Sequence, residues 1–160
     1  MRPLCREVNR VKGKKLAWAV FLVYCAAMLW LLFGRDGYFA DVPYWDQVHR
    51  NLNLQPFKTI DMYLLYLDRP DSYMQPYSVV NLYGNVLLFI PLGLYLPRLV
   101  MKKPRFWKTI LWTAVIITTV ELIQLFTLVG SCDVDDLILN VLGAAIGHGL
   151  YRFTVKKLPE

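Results

Sequence analysis

The fold class is decided by the stretch Thr109-Ile-Leu-Trp-Thr-Ala-Val-Ile-Ile-Thr-Thr-Val-Glu-Leu-Ile-Gln-Leu-Phe-Thr-Leu-Val129. As a helix rising about 1.5 Å per residue, it is long enough to cross the ~30 Å hydrocarbon core of a bilayer. Glu121 is the one charged residue in the stretch. A charged side chain at the centre of a membrane helix costs at least ~2.5–3.5 kcal/mol on insertion scales. The stretch therefore predicts a membrane span with a candidate functional residue inside it.

Three more apolar segments accompany this one. The chain has 160 residues, of which 56% are hydrophobic, and this is too apolar for an ordinary soluble domain. Only a helix satisfies its own backbone groups within a lipid-exposed single segment. We therefore predict one domain, residues 1–160, with an all-α fold: a polytopic transmembrane helix bundle of four spans. The predicted spans are approximately 16–33, 79–97, 109–129 and 134–153.

The basic residues predict the orientation. Fourteen of the 18 Lys and Arg residues precede the first span, fill the loop between the second and third, or follow the fourth. The positive-inside rule then places both termini in the cytoplasm. No A-x-A-like site follows the first apolar stretch, so a retained signal-anchor is predicted rather than a cleaved signal peptide. The net charge of +6 is thus explained by the basic residues that set the membrane topology. Nucleic acid is therefore not expected as a partner.

The external segment from Gly34 to Ser78 is the sizeable part predicted outside the membrane. Asn51–Phe57 is interpreted as a turn that returns the chain to the membrane. In Thr59–Asp68, one helical face carries Ile60, Tyr63, Leu64 and Leu67, which predicts an interfacial helix between spans one and two. This helix would either pack on the bundle as a lid or contact a substrate. In the fourth span, Gly143, Gly147 and Gly149 form a small-residue face for helix packing or for a dimer.

Several polar side chains fall in the outer half of the predicted spans. Along each helix they recur three or four residues apart, which places them on common faces. The sequence therefore predicts that they converge in one pocket open to the outside. They are Asn81, Asn85, Glu121, Gln124, Asp133, Asp135, Asp136 and Asn140.

Structural explanations stay open for most of these residues. Asp133 would cap the fourth helix, with Asp136 three residues later completing a capping box. The amides would be interhelical hydrogen bonds. Glu121 would be protonated and bonded to Gln124, Asn85 or Asn140, or would face a cation. Cys132 is interpreted as an incidental turn residue, with a reactive thiol as the alternative, and His148 as a packing residue.

Four motifs give the chain a resemblance. They are Asn51-Leu-Asn-Leu-Gln-Pro-Phe57, Asn81-Leu-Tyr-Gly-Asn-Val-Leu-Leu-Phe-Ile-Pro-Leu-Gly93, Glu121-Leu-Ile-Gln124 and Asp133-Val-Asp-Asp-Leu-Ile-Leu-Asn-Val-Leu-Gly-Ala-Ala-Ile-Gly147. In their order and spacing, these motifs resemble those of the VanZ-like family. The resemblance runs from the first span to the end of the fourth and adds Asn51 to the candidate site. At Ser131-Cys132 the chain departs from the many relatives that carry a basic residue before the aspartates.

The resemblance implies a small membrane protein of Gram-positive bacteria that is linked to resistance to teicoplanin, a lipid-tailed glycopeptide antibiotic. The resemblance thus implies a resistance phenotype, and it does not specify a biochemical activity. The leading hypothesis is a non-enzymatic protein that binds an amphiphile of the outer leaflet: the lipoglycopeptide, a lipid-linked cell-wall precursor or a lipid-anchored polymer. The ligand-binding candidates are Asn51, Asn81, Asn85, Glu121, Gln124, Asp133, Asp136 and Asn140.

Two alternatives remain. A membrane-embedded enzyme acting on a lipid-linked substrate would use Glu121, Asp133 or Asp136 as catalytic groups. A metal is not expected, but Asp133, Asp135 and Asp136 are the oxygen ligands that could hold one. No other cofactor is expected. The second alternative is an accessory or assembly subunit that uses the glycine face of the fourth span.

Overall fold

The computed structural model describes residues 2–34 and 41–156, with side chains from residue 13 to 34 and from 41 to 154. The fold is all-α, as predicted. The elements, in chain order, are α1 (Arg2–Phe33), α2 (Tyr44–Arg50), β1 (Leu52–Asn53), α3 (Lys58–Leu67), α4 (Gln75–Leu99), α5 (Phe106–Thr127), β2 (Cys132–Asp133) and α6 (Val134–Lys156).

Three of the described helices are long and apolar enough to cross a membrane. They are Gly13–Phe33 within α1, Gln75–Leu99 and Phe106–Thr127, and they correspond to the first three predicted spans. The protein is therefore a multi-pass membrane protein. Helix α6 is not among the three, because Asp135, Asp136, Asn140, His148 and Arg152 make it more polar. The fourth span and the orientation remain predictions.

Helix α6 lies directly against α4, and glycines allow the contact. A Cβ added to Gly143 would collide with the carbonyl oxygen of Val86, and one added to Gly147 with that of Ile90. Both contacts advance four residues along α4 and α6, so the two helices run parallel. A Cβ at Gly149 would meet nothing within 4 Å. Gly143 and Gly147 thus serve packing within the bundle, and an accessory-subunit role remains a prediction.

The remaining helices pack around a common core. Phe21 and Met28 of α1, Phe89 and Leu92 of α4, and Ile117 of α5 form one buried cluster. The bundle has two chemically distinct ends. We call the end that carries α2, α3 and the β-strands the acidic end, and the end that carries the α4–α5 connection, residues 100–105, the basic end.

The acidic end contains elements that the sequence did not reveal. Strands β1 and β2 pair in parallel, with Leu52 opposite Cys132 and Asn53 opposite Asp133. The prediction of a turn at residues 51–57 was therefore incomplete, because its first half is held by backbone pairing to the start of α6. Helix α2 was also missed.

Helix α3 matches the predicted helix to within one residue at each end and packs on α4. Ile60, Tyr63 and Leu67 of the predicted face are partly buried, but Leu64 is 50% exposed. The contact face of α3 is therefore narrower than the sequence pattern indicates. Whether α3 lies at a membrane interface remains a prediction.

Candidate functional site

A cavity of about 170 Å³ lies between α1, α4, α5 and α6, on the side toward the acidic end. We call it the polar cavity. Its apolar wall includes Leu31, Phe89 and Ile117. Six of the eight residues predicted to bind a ligand line it: Asn81, Asn85, Glu121, Gln124, Asp136 and Asn140. Asn51 and Asp133 do not line it.

The sequence of α5 turns Glu121 inward. Thr109, Thr113, Ile117, Glu121 and Leu125 recur every four residues and are all buried, so they form one face of the helix. Glu121 is only 6% exposed. Its Oε2 accepts a hydrogen bond from the Cys132 thiol, with 3.7 Å between sulfur and oxygen. Its Oε1 is buried and has no hydrogen-bond partner among the described residues.

A second carboxylate and a second unpartnered oxygen complete the site on α6. Asn85 donates from Nδ2 to Oδ1 of Asp136 over 2.6 Å. Asn140 lies one turn further along α6, and its Oδ1 is buried without a partner in the described part of the chain. The lining holds two carboxylates but no Lys, Arg or His. The polar cavity therefore offers hydrogen-bond acceptors and two acidic groups to a ligand that brings donors or positive charge.

The amides of Gln124 and Asn81 are directed elsewhere. Gln124 donates from Nε2 to the carbonyl of Leu32 over 2.7 Å and so satisfies one of the free carbonyls at the end of α1. Asn81 donates to the carbonyl of Tyr77 in its own helix. Asn85 is occupied by Asp136. The structure thus gives Glu121 a thiol partner in place of the amide partners considered from the sequence.

Asp133 binds the external segment. Its Oδ2 accepts hydrogen bonds from the Thr59 hydroxyl over 2.6 Å and from the Asn53 amide over 3.1 Å. Its Oδ1 accepts the backbone N–H of Asp135 over 2.9 Å, which is the N-cap geometry considered from the sequence. Asp136 does not act as a capping-box partner in the described contacts, because its carboxylate takes the Asn85 amide instead.

Asp135 caps a different helix. Its carboxylate accepts the backbone N–H groups of Phe57, Thr59 and Ile60 at 2.6, 2.7 and 3.0 Å. These groups lie at the N-terminus of α3, where Phe57 has φ of 66° and offers no side-chain cap. A negative charge is favourable at that position because the helix dipole is positive there. We call the contacts of Asp133 and Asp135 with residues 53–60 the α3 anchor.

Comparison with known proteins agrees with this architecture. The family model described as VanZ/LLP1 matches residues 21–155, which include every residue of the polar cavity and of the α3 anchor. The chain belongs to the VanZ/LLP1 family. Protein VanZ of Enterococcus faecium is 27% identical over 148 residues, which cover 92% of this chain and 81% of that protein. No solved structure matches.

The three aspartates of this VanZ/LLP1 protein point to different places. Asp133 and Asp135 form the α3 anchor, and Asp136 faces the polar cavity. No group of three or more His, Cys, Asp or Glu side chains within the described residues is arranged to hold a metal ion. The set proposed from the sequence as oxygen ligands is therefore divided between two structural positions.

Cys132, interpreted from the sequence as an incidental turn residue, is a partner of Glu121. Its side chain is buried with Val48, Leu125 and Leu128 and contacts Glu121. Burial, followed by the negative charge of Glu121, raises the pKa of the Cys132 thiol to about 11. A neutral thiol can donate its proton to Glu121 but is a poor nucleophile. The sequence feature that could have identified Cys132 as a site residue is its position directly before Asp133.

Asn51 supports the wall of the polar cavity from outside. Its backbone carbonyl accepts the N–H of Cys132 over 2.9 Å, and its Nδ2 lies 3.5 Å from the carbonyl oxygen of Gly130. Gly130 and Ser131 line the cavity. Asn51 in this VanZ/LLP1 protein therefore positions the loop between α5 and β2 and does not face the cavity.

Proposed function

We propose that this VanZ/LLP1 protein lowers susceptibility to teicoplanin-like glycopeptides by binding the head group of an amphiphile in the outer leaflet. The observation that carries the proposal is the polar cavity, which brings together Glu121, Asp136 and Asn140. Oε1 of Glu121 and Oδ1 of Asn140 have no hydrogen-bond partner among the described residues. Buried polar atoms are normally hydrogen-bonded, so unpartnered ones facing a cavity favour a ligand or water there. A head group carrying an ammonium would satisfy both the charge and the acceptors.

The size of the polar cavity limits what enters it. Pockets for drug-sized ligands usually enclose ~300–1,000 Å³, and this cavity encloses about 170 Å³. A whole glycopeptide does not fit, but one polar head group does. The lipid-tailed antibiotic, a lipid-linked cell-wall precursor and a lipid-anchored polymer can each present such a group. Leu31, which lines the cavity, is 50% exposed on α1 and gives an apolar chain a route toward the lipid.

The proposal includes a four-span topology with both termini in the cytoplasm. It is supported by the parallel packing of α6 on α4, because a helix lying along a membrane span crosses the same layer. The α6 helix has 23 residues, enough for the ~30 Å hydrocarbon core. It is also supported by the charge difference between the two ends, because the basic end is the one expected in the cytoplasm.

The test replaces Glu121 by Gln, which keeps the shape and removes the charge. We expect Glu121→Gln to weaken binding of an ammonium-bearing lipid by about tenfold or more, because hydrogen bonds to charged groups contribute ~1.5–3 kcal/mol. Native mass spectrometry of the purified protein with that lipid and with its N-acetylated form measures this. The teicoplanin inhibitory concentration of a susceptible host expressing each variant measures the phenotype.

Asp61→Asn is the matched control for the loss of one carboxylate, because Asp61 is exposed on α3 away from the polar cavity. It should retain both binding and resistance. Full resistance from Glu121→Gln at equal membrane abundance would contradict a charge-based role for the cavity.

A membrane-embedded enzyme is the second candidate, and the pair of carboxylates in one cavity favours it. Two acidic groups in different surroundings can divide the roles of general acid and general base. Because Asp133 and Asp135 are held in the α3 anchor, the candidate catalytic groups reduce to Glu121 and Asp136. Turnover of a purified lipid-linked precursor that is lost in Asp136→Asn would favour this candidate over simple binding.

A further inference from the structure

A second cavity lies at the basic end, and its chemistry is opposite to that of the polar cavity. It encloses about 610 Å³ between the end of α4, the connection 100–105 and the first turns of α5. We call it the basic-end cavity. Its apolar wall is formed by Leu96, Val100, Met101, Trp112 and Ile116, and its remaining lining residues are Lys102, Lys103 and Lys108.

The three lysines have no counter-charge in the described structure. All three are exposed, and none has an ion-pair partner among the described residues. Every carboxylate whose side chain is described lies in the external segment or toward the acidic end, including Glu121 and Asp136. No described carboxylate therefore competes with an external anion for Lys102, Lys103 and Lys108.

The N-terminus of α5 adds to the positive electrostatic potential at the basic-end cavity. This helix begins at Phe106, and its N-cap residue Arg105 makes no side-chain hydrogen bond to the first turn. The free N–H groups and the dipole of a helix N-terminus favour an anion. Lys108 stands in that first turn. Two independent sources of positive potential thus meet beside an apolar cavity.

We propose that the basic-end cavity binds an anionic phospholipid of the cytoplasmic leaflet. The phosphate contacts Lys102, Lys103 and Lys108, and an acyl chain lies along the apolar wall. Basic pockets between membrane helices on the cytoplasmic side suit this class of lipid. A free phosphate would use the lysines but not the apolar wall, and a neutral lipid would use the wall but not the lysines. Only an anionic lipid matches both parts of the lining.

The experiment uses Trp112 as the reporter, because its side chain lines the basic-end cavity. In a full-length variant, Trp18, Trp30, Trp45 and Trp107 are replaced by Phe, so that Trp112 is the remaining tryptophan. The protein is reconstituted in phosphatidylcholine vesicles containing increasing fractions of brominated phosphatidylglycerol or brominated phosphatidylcholine. Each lysine near an anionic surface contributes about a fivefold preference, so we expect brominated phosphatidylglycerol to quench at least about fivefold more effectively.

Matched variants separate a site from a general surface charge. Lys102→Gln, Lys103→Gln and Lys108→Gln together should remove the preference. Lys14→Gln, Lys15→Gln and Arg152→Gln together remove the same number of charges from the same predicted membrane face, and they should leave the preference in place. Loss of the preference in both triple variants would overturn the proposal, because it would mean a diffuse surface potential.

Two further outcomes would also overturn it. Equal quenching by the two brominated lipids in the unsubstituted single-tryptophan protein would exclude selectivity, and this result does not depend on any lysine variant folding. Relief of quenching by inorganic phosphate would identify a free anion as the ligand. Unchanged quenching in the presence of phosphate is the result expected for a lipid.

Discussion

The adjacent carboxylates of Asp135 and Asp136 on α6 have different partners, and the helix geometry explains why. Successive residues of an α-helix project about 100° apart, so Asp135 and Asp136 face different neighbours. Asp135 is 0% exposed and accepts three N–H groups at the N-terminus of α3, whereas Asp136 faces the polar cavity. The sequence showed that both are acidic and near a helix start. It could not show that the two side chains have different partners, because those partners depend on where α3 and α4 lie.

The α3 anchor leads to the first prediction at this scale. Asp135→Asn places an amide N–H against backbone donors, and we expect it to destabilise the docking of α3 by ~1–3 kcal/mol. Hydrogen exchange of residues 58–67 should become about 5- to 150-fold faster as a result. Asp61→Asn removes a charge from the first turn of the same helix without touching the anchor, and it should leave exchange nearly unchanged. Equal exchange in Asp135→Asn and the native protein would mean that α3 is held elsewhere.

The thiol of Cys132 supplies a pH-dependent test. With a pKa raised from 9.0 to about 11, its thiolate fraction at pH 8 is about 100-fold lower than that of an ordinary cysteine. In a variant that retains Cys132 alone, with Cys5 and Cys25 replaced by Ala, alkylation should be slow. It should accelerate about tenfold per pH unit until pH approaches 11, as followed by intact mass.

Glu121→Gln in that background provides the control. The negative charge of Glu121 is the second-largest cause of the raised pKa of Cys132, after burial. Removing it should lower the pKa of the thiol and speed alkylation at pH 8. No change in rate would indicate that Glu121 carries no negative charge beside Cys132.

At the scale of the element, the contact between α4 and α6 depends on Gly93 of α4 and on Gly143 and Gly147 of α6. Gly143→Ala and Gly147→Ala would each force the two backbones apart, and overpacking of this kind typically costs ~1–3 kcal/mol. Unfolding by a denaturing detergent measures the loss. Gly149→Ala lies in the same helix with nothing within 4 Å, so it should be neutral or stabilise by up to ~1 kcal/mol. Equal effects at all three positions would point to helix propensity rather than packing.

The sequence predicted the long helices well and the short elements poorly. Apolar runs of sufficient length located α1, α4 and α5. Helix α2 has seven residues and each strand has two, so neither carries a recognisable period. On α3 the period identified the apolar face, but Leu64 of that face stays half-exposed because no other described element packs over it. These elements are fixed by long-range contacts, which periodicity does not encode.

For the molecule as a whole, the membrane topology decides on which side of the membrane each of the two cavities lies. If α6 crosses the membrane, the C-terminus lies on the same side as the N-terminus and opposite to α3. A green fluorescent protein fused after Glu160 should fluoresce, and alkaline phosphatase fused there should be inactive. Phosphatase fused to a chain truncated after Pro43 should be active and serves as the control. An active phosphatase after Glu160 would limit the bundle to three spans.

The α3 anchor also sets an order of events during synthesis. Asn53 and Asp133, which it joins, are 80 residues apart in the chain. At ~5–20 residues per second, the ribosome reaches Asp133 roughly 4–16 s after Asn53. During that interval α3 lacks the Asp135 carboxylate that accepts the N–H groups at its N-terminus, so residues 53–67 stay undocked. Docking of α3 therefore requires that the start of α6 has been synthesised, and a chain stalled before residue 133 should leave residues 53–67 more open to proteolysis.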